Sequence, residues 1–193
     1  MLEYPPDEAG LGSRFDQILI AARAGGEWAW RDLYRGTAPT LVRYLRARGT
    51  PDADDVVGET FIRVVRHIGG FAGDESAFRT WVFTIARNVV IDGARSSQRR
   101  PVVAVPDETL HALASVGDVE TEAMQGLAQE HVRWVIEELS PDQRDVLLLR
   151  ILGGFTIAEI ADMLGRREGA VKMLQSRGLA TLRKKISLKA VTL

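Results

Sequence analysis

The stretch that decides the fold of this chain is TIAEIADMLGRREGAVKMLQSRGLATLRKK, residues 156–185. Its first residue, Thr156, suits a helix N-cap, and Glu159 follows three positions later, where its carboxylate completes a capping box. Gly165 stands where a tight turn between two helices requires a positive φ. The pattern therefore predicts a short helix, a turn and a second helix over about residues 168–184.

Apolar positions predict how these two helices pack. Ala161 is small at the point where the second helix crosses the first, and an apolar seam fixes a steep crossing angle. The seam consists of Ile160, Leu164, Val171 and Leu174. Such a helix-turn-helix leaves its second helix free to enter a major groove of DNA. The alternative is an ordinary helical hairpin with a solvated basic face.

Polar side chains on and just before the second helix are candidates for contacts with bases and phosphates. They are Arg166, Arg167, Lys172, Gln175, Ser176 and Arg177. The two turn arginines lie where contacts to the DNA backbone usually fall. The net charge of the chain is only −1, but residues 101–129 contain acids and no Lys or Arg, whereas Glu168 is the single acid after Leu164. Because the local field governs phosphate binding, the basic C-terminal end fits a nucleic acid.

Composition argues against an enzyme. The chain has no cysteine, which excludes disulfides and thiolate metal sites. The histidines, which show no ligand spacing, are His67, His111 and His131. The only tight acid group is formed by Asp52, Asp54 and Asp55, and its spacing does not converge all three carboxylates on one metal. We therefore expect no catalytic residue, no metal and no cofactor.

The N-terminus, MLEYPPDEAG, is acidic and contains proline, unlike the basic and then apolar start of a signal peptide. The longest apolar stretches, such as residues 146–152, are too short and too interrupted by charge to span a bilayer. We expect a cytoplasmic protein without membrane insertion. No role is assigned to residues 1–13.

Helical periodicity covers most of the chain, and no alternating strand pattern lasts more than a few positions. The predicted helices cover residues 15–24, 28–48, 52–68, 131–139 and 142–152, the last after a Ser140-Pro141 start signal. A further helix through Val90 is predicted to take Ser76 as its N-cap. A broad apolar stripe runs along the third of these helices, residues 52–68. It is formed by Val56, Val57, Thr60, Phe61, Val64, Val65 and Ile68.

After Arg95 the helical pattern fails, and SSQRRPVVAVPDET begins a polar, acidic segment with two prolines. The sequence therefore predicts an all-α protein with two small helical domains joined by a flexible acidic linker. The expected bounds are residues 14–100, a linker over 101–128, and a helix-turn-helix domain over 129–187.

Residues 138–186 resemble the promoter-binding C-terminal domain of bacterial extracytoplasmic-function (ECF) sigma factors, and alone they also fit a response-regulator output domain. The N-terminal half separates the two families. Its segments DADDVVGETFIRVV and SAFRTWVFTIARN resemble the first conserved module of the ECF sigma factors. The resemblance covers roughly residues 15–186 in the right order.

The resemblance implies that DADDVVGETFIRVV is the helix that docks on the clamp of core RNA polymerase. The residues that it implies form or flank that contact are Asp54, Asp55, Val57, Glu59, Thr60, Phe61 and Val64. A plain amphipathic helix buried in its own domain is the alternative. Gly58 departs from the family pattern, which usually has glutamine there, so the polar contact of that side chain is missing.

The resemblance also implies that FAGDES, residues 71–76, captures a base flipped out of a melted minus-10 element. The residues expected to contact the strand are Phe71, Ser76, Arg79, Thr80, Phe83, Arg87, Asn88 and Arg95. Trp81 is placed in the core rather than on the strand because of its spacing from Ile85.

Two functions follow from these observations. The first is a sigma factor that binds core RNA polymerase and places its two modules on the minus-10 and minus-35 promoter elements. The resemblance then implies an anti-sigma protein as a further partner, and a linker threaded through the polymerase. The second is a helix-turn-helix regulator that does not replace a sigma factor.

Overall fold

The computed structural model describes residues 11–99, 136 and 138–190. The α-helices within these ranges are α1 (Phe15–Arg23), α2 (Glu27–Arg48), α3 (Ala53–His67), α4 (Glu75–Arg99), α5 (Pro141–Ile151), α6 (Ile157–Leu164) and α7 (Glu168–Ala190). Short 3-10 turns precede α1 and follow α3, and none of the described residues forms a strand. The predicted all-α class is confirmed. The expected linker and most of the helix predicted over 131–139 lie outside the described residues.

Helices α1 to α4 form an N-terminal module around one apolar core. Each helix packs against its neighbour in the chain, with α3 and α4 in the most extensive contact. Residues with no more than one percent exposure anchor three of the helices, among them Leu33 and Leu41 on α2, Val57 on α3, and Phe78 on α4, and α1 contributes Ile18 at 2%. Burying side chains of this size is the main term that stabilises such a module.

The start of α4 differs from the prediction. The helix begins at Glu75, one residue before Ser76, and the backbone N–H of Ala77 donates to Asp74 Oδ1 at 2.8 Å. Asp74 therefore supplies the capping oxygen, and the prediction of Ser76 as N-cap is wrong. The physical reason is that Asp74, two positions earlier, caps the helix, while the hydroxyl of Ser76 donates instead to Glu159 on α6.

Helices α5 to α7 form a C-terminal module, and the predicted signals at Ser140-Pro141, Thr156 and Gly165 act as expected. Ser140 and Gln143 form a capping box at the start of α5, and Thr156 and Glu159 form one at the start of α6. Gly165 ends α6 with φ 61°, the left-handed conformation that the turn needs. Ile160 and Val171 are fully buried between α6 and α7. This part of the chain is a helix-turn-helix.

The two modules are in contact. Helix α5 packs against α2, and α6 packs against α4. Aromatic rings meet at the second of these contacts, where Phe83 of α4 and Phe155 lie 4.8 Å apart between centroids in an edge-to-face arrangement. The contact places residues of the helix-turn-helix module directly on the helix predicted to bind a DNA strand.

Candidate nucleic-acid and partner interfaces

Helix α3 presents a mixed acidic and apolar surface to solvent. Asp54 and Asp55 are exposed in its first turn, where negative charge complements the helix dipole. Ile62 and Val65 are 47% and 52% exposed although both are apolar. Helical spacing puts these four residues and Gly58 on one side of α3, and we call them the α3 face. A Cβ added at Gly58 would meet nothing within 4 Å, so the surface is open there.

Four residues that the sequence assigned to a polymerase contact lie on the opposite side of α3. Val57, Thr60, Phe61 and Val64 are all buried, with at most 8% of their surface exposed. The Thr60 hydroxyl donates to the carbonyl of Val56, and the Phe61 ring packs on Tyr34. These side chains hold α3 on the core and are inaccessible to a partner in this conformation, so within the predicted set they flank the exposed surface rather than form it. Glu59 is half-buried and pairs with Arg63 at 2.9 Å.

The loop before α4 is held in place by its own module. Phe71 stacks on Trp81, with ring centroids 5.1 Å apart, and meets Phe78 edge-on. Arg23 donates to the carbonyl of Phe71 and, at 3.3 Å, to that of Ile68. Trp81 is half-buried against the core, as its spacing predicted. The ring of Phe71 is therefore already engaged with rings of its own module.

Five of the predicted strand-contacting residues share one side of α4, because they are three or four positions apart. They are Ser76, Arg79, Thr80, Phe83 and Arg87, and we call them the α4 face. Asn88 is exposed but lies well round the helix from this side, and the side chain of Arg95 is outside the described residues.

The α4 face carries two buried polar atoms, Thr80 Oγ1 and Arg87 Nε, for which the described part of the chain supplies no hydrogen-bond partner. An unpaired buried donor costs about 1–3 kcal/mol, so such groups fit a site that is completed by a ligand. Phe83 is 2% exposed, because Tyr44 covers one side of it and Phe155 the other.

A buried ion pair joins the two modules beside the α4 face. Arg48 of α2 donates to both carboxylate oxygens of Asp145 on α5, at 2.6 and 3.2 Å. Asp145 is only 4% exposed. Burial raises the pKa of the neighbouring Tyr44 above its ordinary value, and the negative charge of Asp145 adds to the rise. The phenol therefore stays protonated and available as a donor beside this carboxylate.

Helix α7 places polar side chains on the surface that a helix-turn-helix turns to DNA. Lys172, Ser176 and Arg177 are exposed, and Gln175 is half-buried. Lys172 pairs with Glu168 at 3.4 Å. In the preceding turn Arg167 is exposed, whereas Arg166 pairs with Asp142 of α5 at 2.6 Å.

Sequence reasoning missed an apolar residue on this surface, since it searched only for polar side chains. Met173 is 54% exposed and lies opposite the buried Val171 on α7. The helical wheel alone carried the signal, because position 173 falls on the same side as Gly169, Ser176 and Ala180. An apolar side chain in a major groove suits the methyl group of thymine.

Comparisons with known proteins agree with the two modules. The family models named Sigma-70 region 2 and Sigma-70, region 4 match residues 33–100 and 132–182. The chain is 31% identical over 192 residues to the ECF RNA polymerase sigma factor SigD of Mycobacterium tuberculosis, covering 96% of this chain and 90% of SigD. The chain belongs to the ECF family of RNA polymerase sigma factors. This membership favours the sigma-factor function over a regulator that does not replace a sigma factor.

Other relatives of this ECF sigma factor extend the comparison. It is 35% identical over 172 residues to BldN of Streptomyces coelicolor, covering 88% of this chain but 65% of the length of BldN. The solved structure of CnrH in complex with the cytosolic domain of CnrY covers 91% of this chain at 21% identity, with a TM-score of 0.66. That structural likeness supports the fold. None of the helices in the described ranges is long and apolar enough to cross a membrane.

Proposed function

We propose that this chain binds core RNA polymerase and directs promoter-specific initiation, with its N-terminal module on a melted minus-10 element and its C-terminal module on a duplex minus-35 element. The observation that carries the proposal is the match of both sigma-70 regions, in order, within one chain. The chain itself supplies no catalysis in this proposal. It works in the cytoplasm, and an anti-sigma protein is a further partner.

The polymerase contact is assigned to the α3 face. Its acids offer charge, and Ile62 and Val65 offer apolar area that water otherwise covers. Asp54 and Asp55 come from the sequence prediction, with Glu59 at the edge of the surface. Val57, Thr60, Phe61 and Val64 support the surface from below, since they fix the position of α3.

The DNA contacts are assigned to two helices. The strand-contacting set is the α4 face together with Phe71, Asn88 and Arg95, and the duplex-contacting set is Arg166, Arg167, Lys172, Gln175, Ser176 and Arg177 with Met173 added. Arginine and lysine side chains attract the DNA phosphates in these contact sets. Bases are read by stacking in the first set and by groove contacts in the second.

The test is reconstitution with sigma-free core polymerase and a promoter library, followed by mapping of transcript starts. We expect starts at a shared pair of sequence elements. A variant with Asp54→Lys and Asp55→Lys should lose initiation, whereas the matched control Asp16→Lys, an exposed acid on α1, should keep it. Intact duplex binding without specific initiation would favour the regulator instead.

A further inference from the structure

The C-terminal module occupies the same side of α4 that the proposed function assigns to a melted DNA strand. Ser76 donates its hydroxyl hydrogen to a carboxylate oxygen of Glu159 on α6. Arg79 donates to the carbonyl of Gly153 at 2.6 Å. Both contacts use donors of the α4 face, and both partners are oxygens of the C-terminal module.

The aromatic ring of Phe155 covers a further part of this surface, at Phe83 and Arg79. It lies 4.8 Å from the Phe83 ring at an interplanar angle of 70°, and the guanidinium carbon of Arg79 is 5.2 Å from its centroid. Proteins also hold an unstacked base against aromatic and arginine side chains, although the Phe155 ring meets Phe83 by its edge rather than by stacking. The module thus offers α4 an anionic oxygen, a carbonyl oxygen and an aromatic ring, which is the chemistry of a nucleotide.

One ion pair and two hydrogen bonds hold the C-terminal module in this place, and we call these contacts the latch. The ion pair of Arg48 with Asp145 is bidentate and largely removed from water. Arg144 donates to the carbonyl of Arg48, and Arg43 donates to that of Leu152, both at 3.4 Å. If the modules shifted relative to each other, one partner would lose the other and a buried charge would be left uncompensated. Such a pair therefore allows few alternative placements of the module. The contact between the modules is therefore a defined interface rather than a loose collision.

We propose that the C-terminal module is an intramolecular mimic of the promoter strand: in the free chain it occupies the α4 face, so the module and single-stranded DNA compete for one surface. The inference rests on the proposed function, because it takes the strand to bind the α4 face. The module leaves Thr80 Oγ1 and Arg87 Nε without partners, and a strand can supply them through phosphate or base oxygens. The α3 face is uncovered in this closed arrangement, so polymerase can dock before the modules separate.

The first test breaks the latch with Arg48→Asp, which sets two carboxylates against each other. The readouts are the radius of gyration from small-angle scattering and the affinity of the full chain for short A/T-rich single strands. We expect a larger radius and about tenfold or more tighter binding. The substitution makes the chain more negative, so a non-specific charge effect would weaken binding instead. The swap Arg48→Asp with Asp145→Arg should restore both wild-type values.

The second test locks the closed arrangement and does not depend on how the latch variants fold. The chain has no native cysteine, so Arg43→Cys with Ile151→Cys provides a unique pair, and a reducible thiol cross-linker can join them across the interface. In the cross-linked chain we expect strand binding to fall about tenfold or more, and reduction to restore it. A cross-link between Arg14→Cys and Asp32→Cys, within the N-terminal module, is the matched control.

Equal strand binding by the locked, reduced and latch-broken chains would overturn the inference, as would an unchanged radius of gyration in Arg48→Asp. Failure of the proposed function gives a different result. In that case the reduced chain with core polymerase starts no specific transcript, whatever the state of the latch.

Discussion

Helices α3 and α4 pack side by side in one module, yet their predicted contact surfaces are in opposite states. The α3 face is open to solvent, with apolar Ile62 and Val65 about half exposed. The α4 face is covered by a second module, and Phe83 within it is 2% exposed. The difference teaches that neighbouring helices of one module can leave one predicted contact surface exposed and have the other covered by a second module.

The largest expected effect tests the covered surface. Phe83→Ala removes a ring packed between Tyr44 and Phe155, so we expect the free energy of unfolding to fall by about 3–5 kcal/mol. Ile62→Ala on the open surface should change it by less than about 0.5 kcal/mol. Chemical denaturation measures both variants. Similar losses from the two would remove the contrast between the helices.

The next effect tests the open surface. Ile62→Asp with Val65→Asp should lower the affinity for core polymerase by about 1–3 kcal/mol, because two apolar contacts become buried charges. The free energy of unfolding should stay nearly unchanged, since both side chains face solvent. Ile20→Asp, at a residue 66% exposed on α1, is the matched control. Competition binding with labelled core polymerase provides the measurement, and an unaffected affinity would move the contact off α3.

A smaller effect concerns Met173, the exposed apolar residue of the duplex-contacting set on α7. Met173→Ala should weaken binding to a minus-35 duplex by about 1 kcal/mol, or about fivefold. Replacing thymine by deoxyuridine removes only the methyl group, so the uracil duplex should bind the wild type less tightly and lose the sensitivity to Met173→Ala. Ile186→Ala, 55% exposed on the same helix, should affect neither duplex. Equal sensitivity on both duplexes would show that Met173 does not read a methyl group.

The smallest effect is a pH dependence of the covered surface. Partial burial alone would raise the pKa of Glu159, but hydrogen bonds from Ser76 and Thr156 outweigh it, so the pKa lies below its ordinary value of 4.5. The ionised carboxylate therefore contributes to the closed arrangement above pH 4.5, and the contribution is lost as the pH falls through the lowered pKa. Small-angle scattering at decreasing pH should show an increase in the radius of gyration of the wild type. The Glu159→Gln variant should lack the part of that increase that comes from protonation of Glu159. Identical pH profiles would contradict it.

Signals confined to a few residues were readable from the sequence. The capping boxes at Ser140 and Thr156 and the turn at Gly165 depend on neighbours in the chain, and all three are present. The helical period also separates Val57 and Val64 from Asp54 and Asp55. The same period places Val65 on the exposed side, although the predicted apolar stripe included it. The sequence prediction assigned α3 residues by resemblance to a motif, which carries no information on which side of the helix is buried.

Signals that depend on distant residues were not readable. Whether Asp74 or Ser76 caps α4 is decided partly by Glu159, more than eighty positions away. Likewise, no local pattern marks Asp145 as the partner of Arg48, since the two are 97 positions apart. Contacts of this kind arise only when the two modules meet, and they decide which predicted site residues are accessible.

Gly153 limits which sequence changes this protein tolerates. A Cβ there would come within 2.5 Å of the Phe155 ring and 2.7 Å of the Leu149 carbonyl oxygen, so any other residue must displace the ring. Displacement of the ring would uncover Phe83, and a shift of the Gly153 backbone away from the Leu149 carbonyl would disturb the acceptor of Arg79. Saturation mutagenesis scored for binding of single-stranded DNA by the free chain tests this limit. We expect every substitution at Gly153 to increase strand binding and to leave docking on core polymerase unchanged.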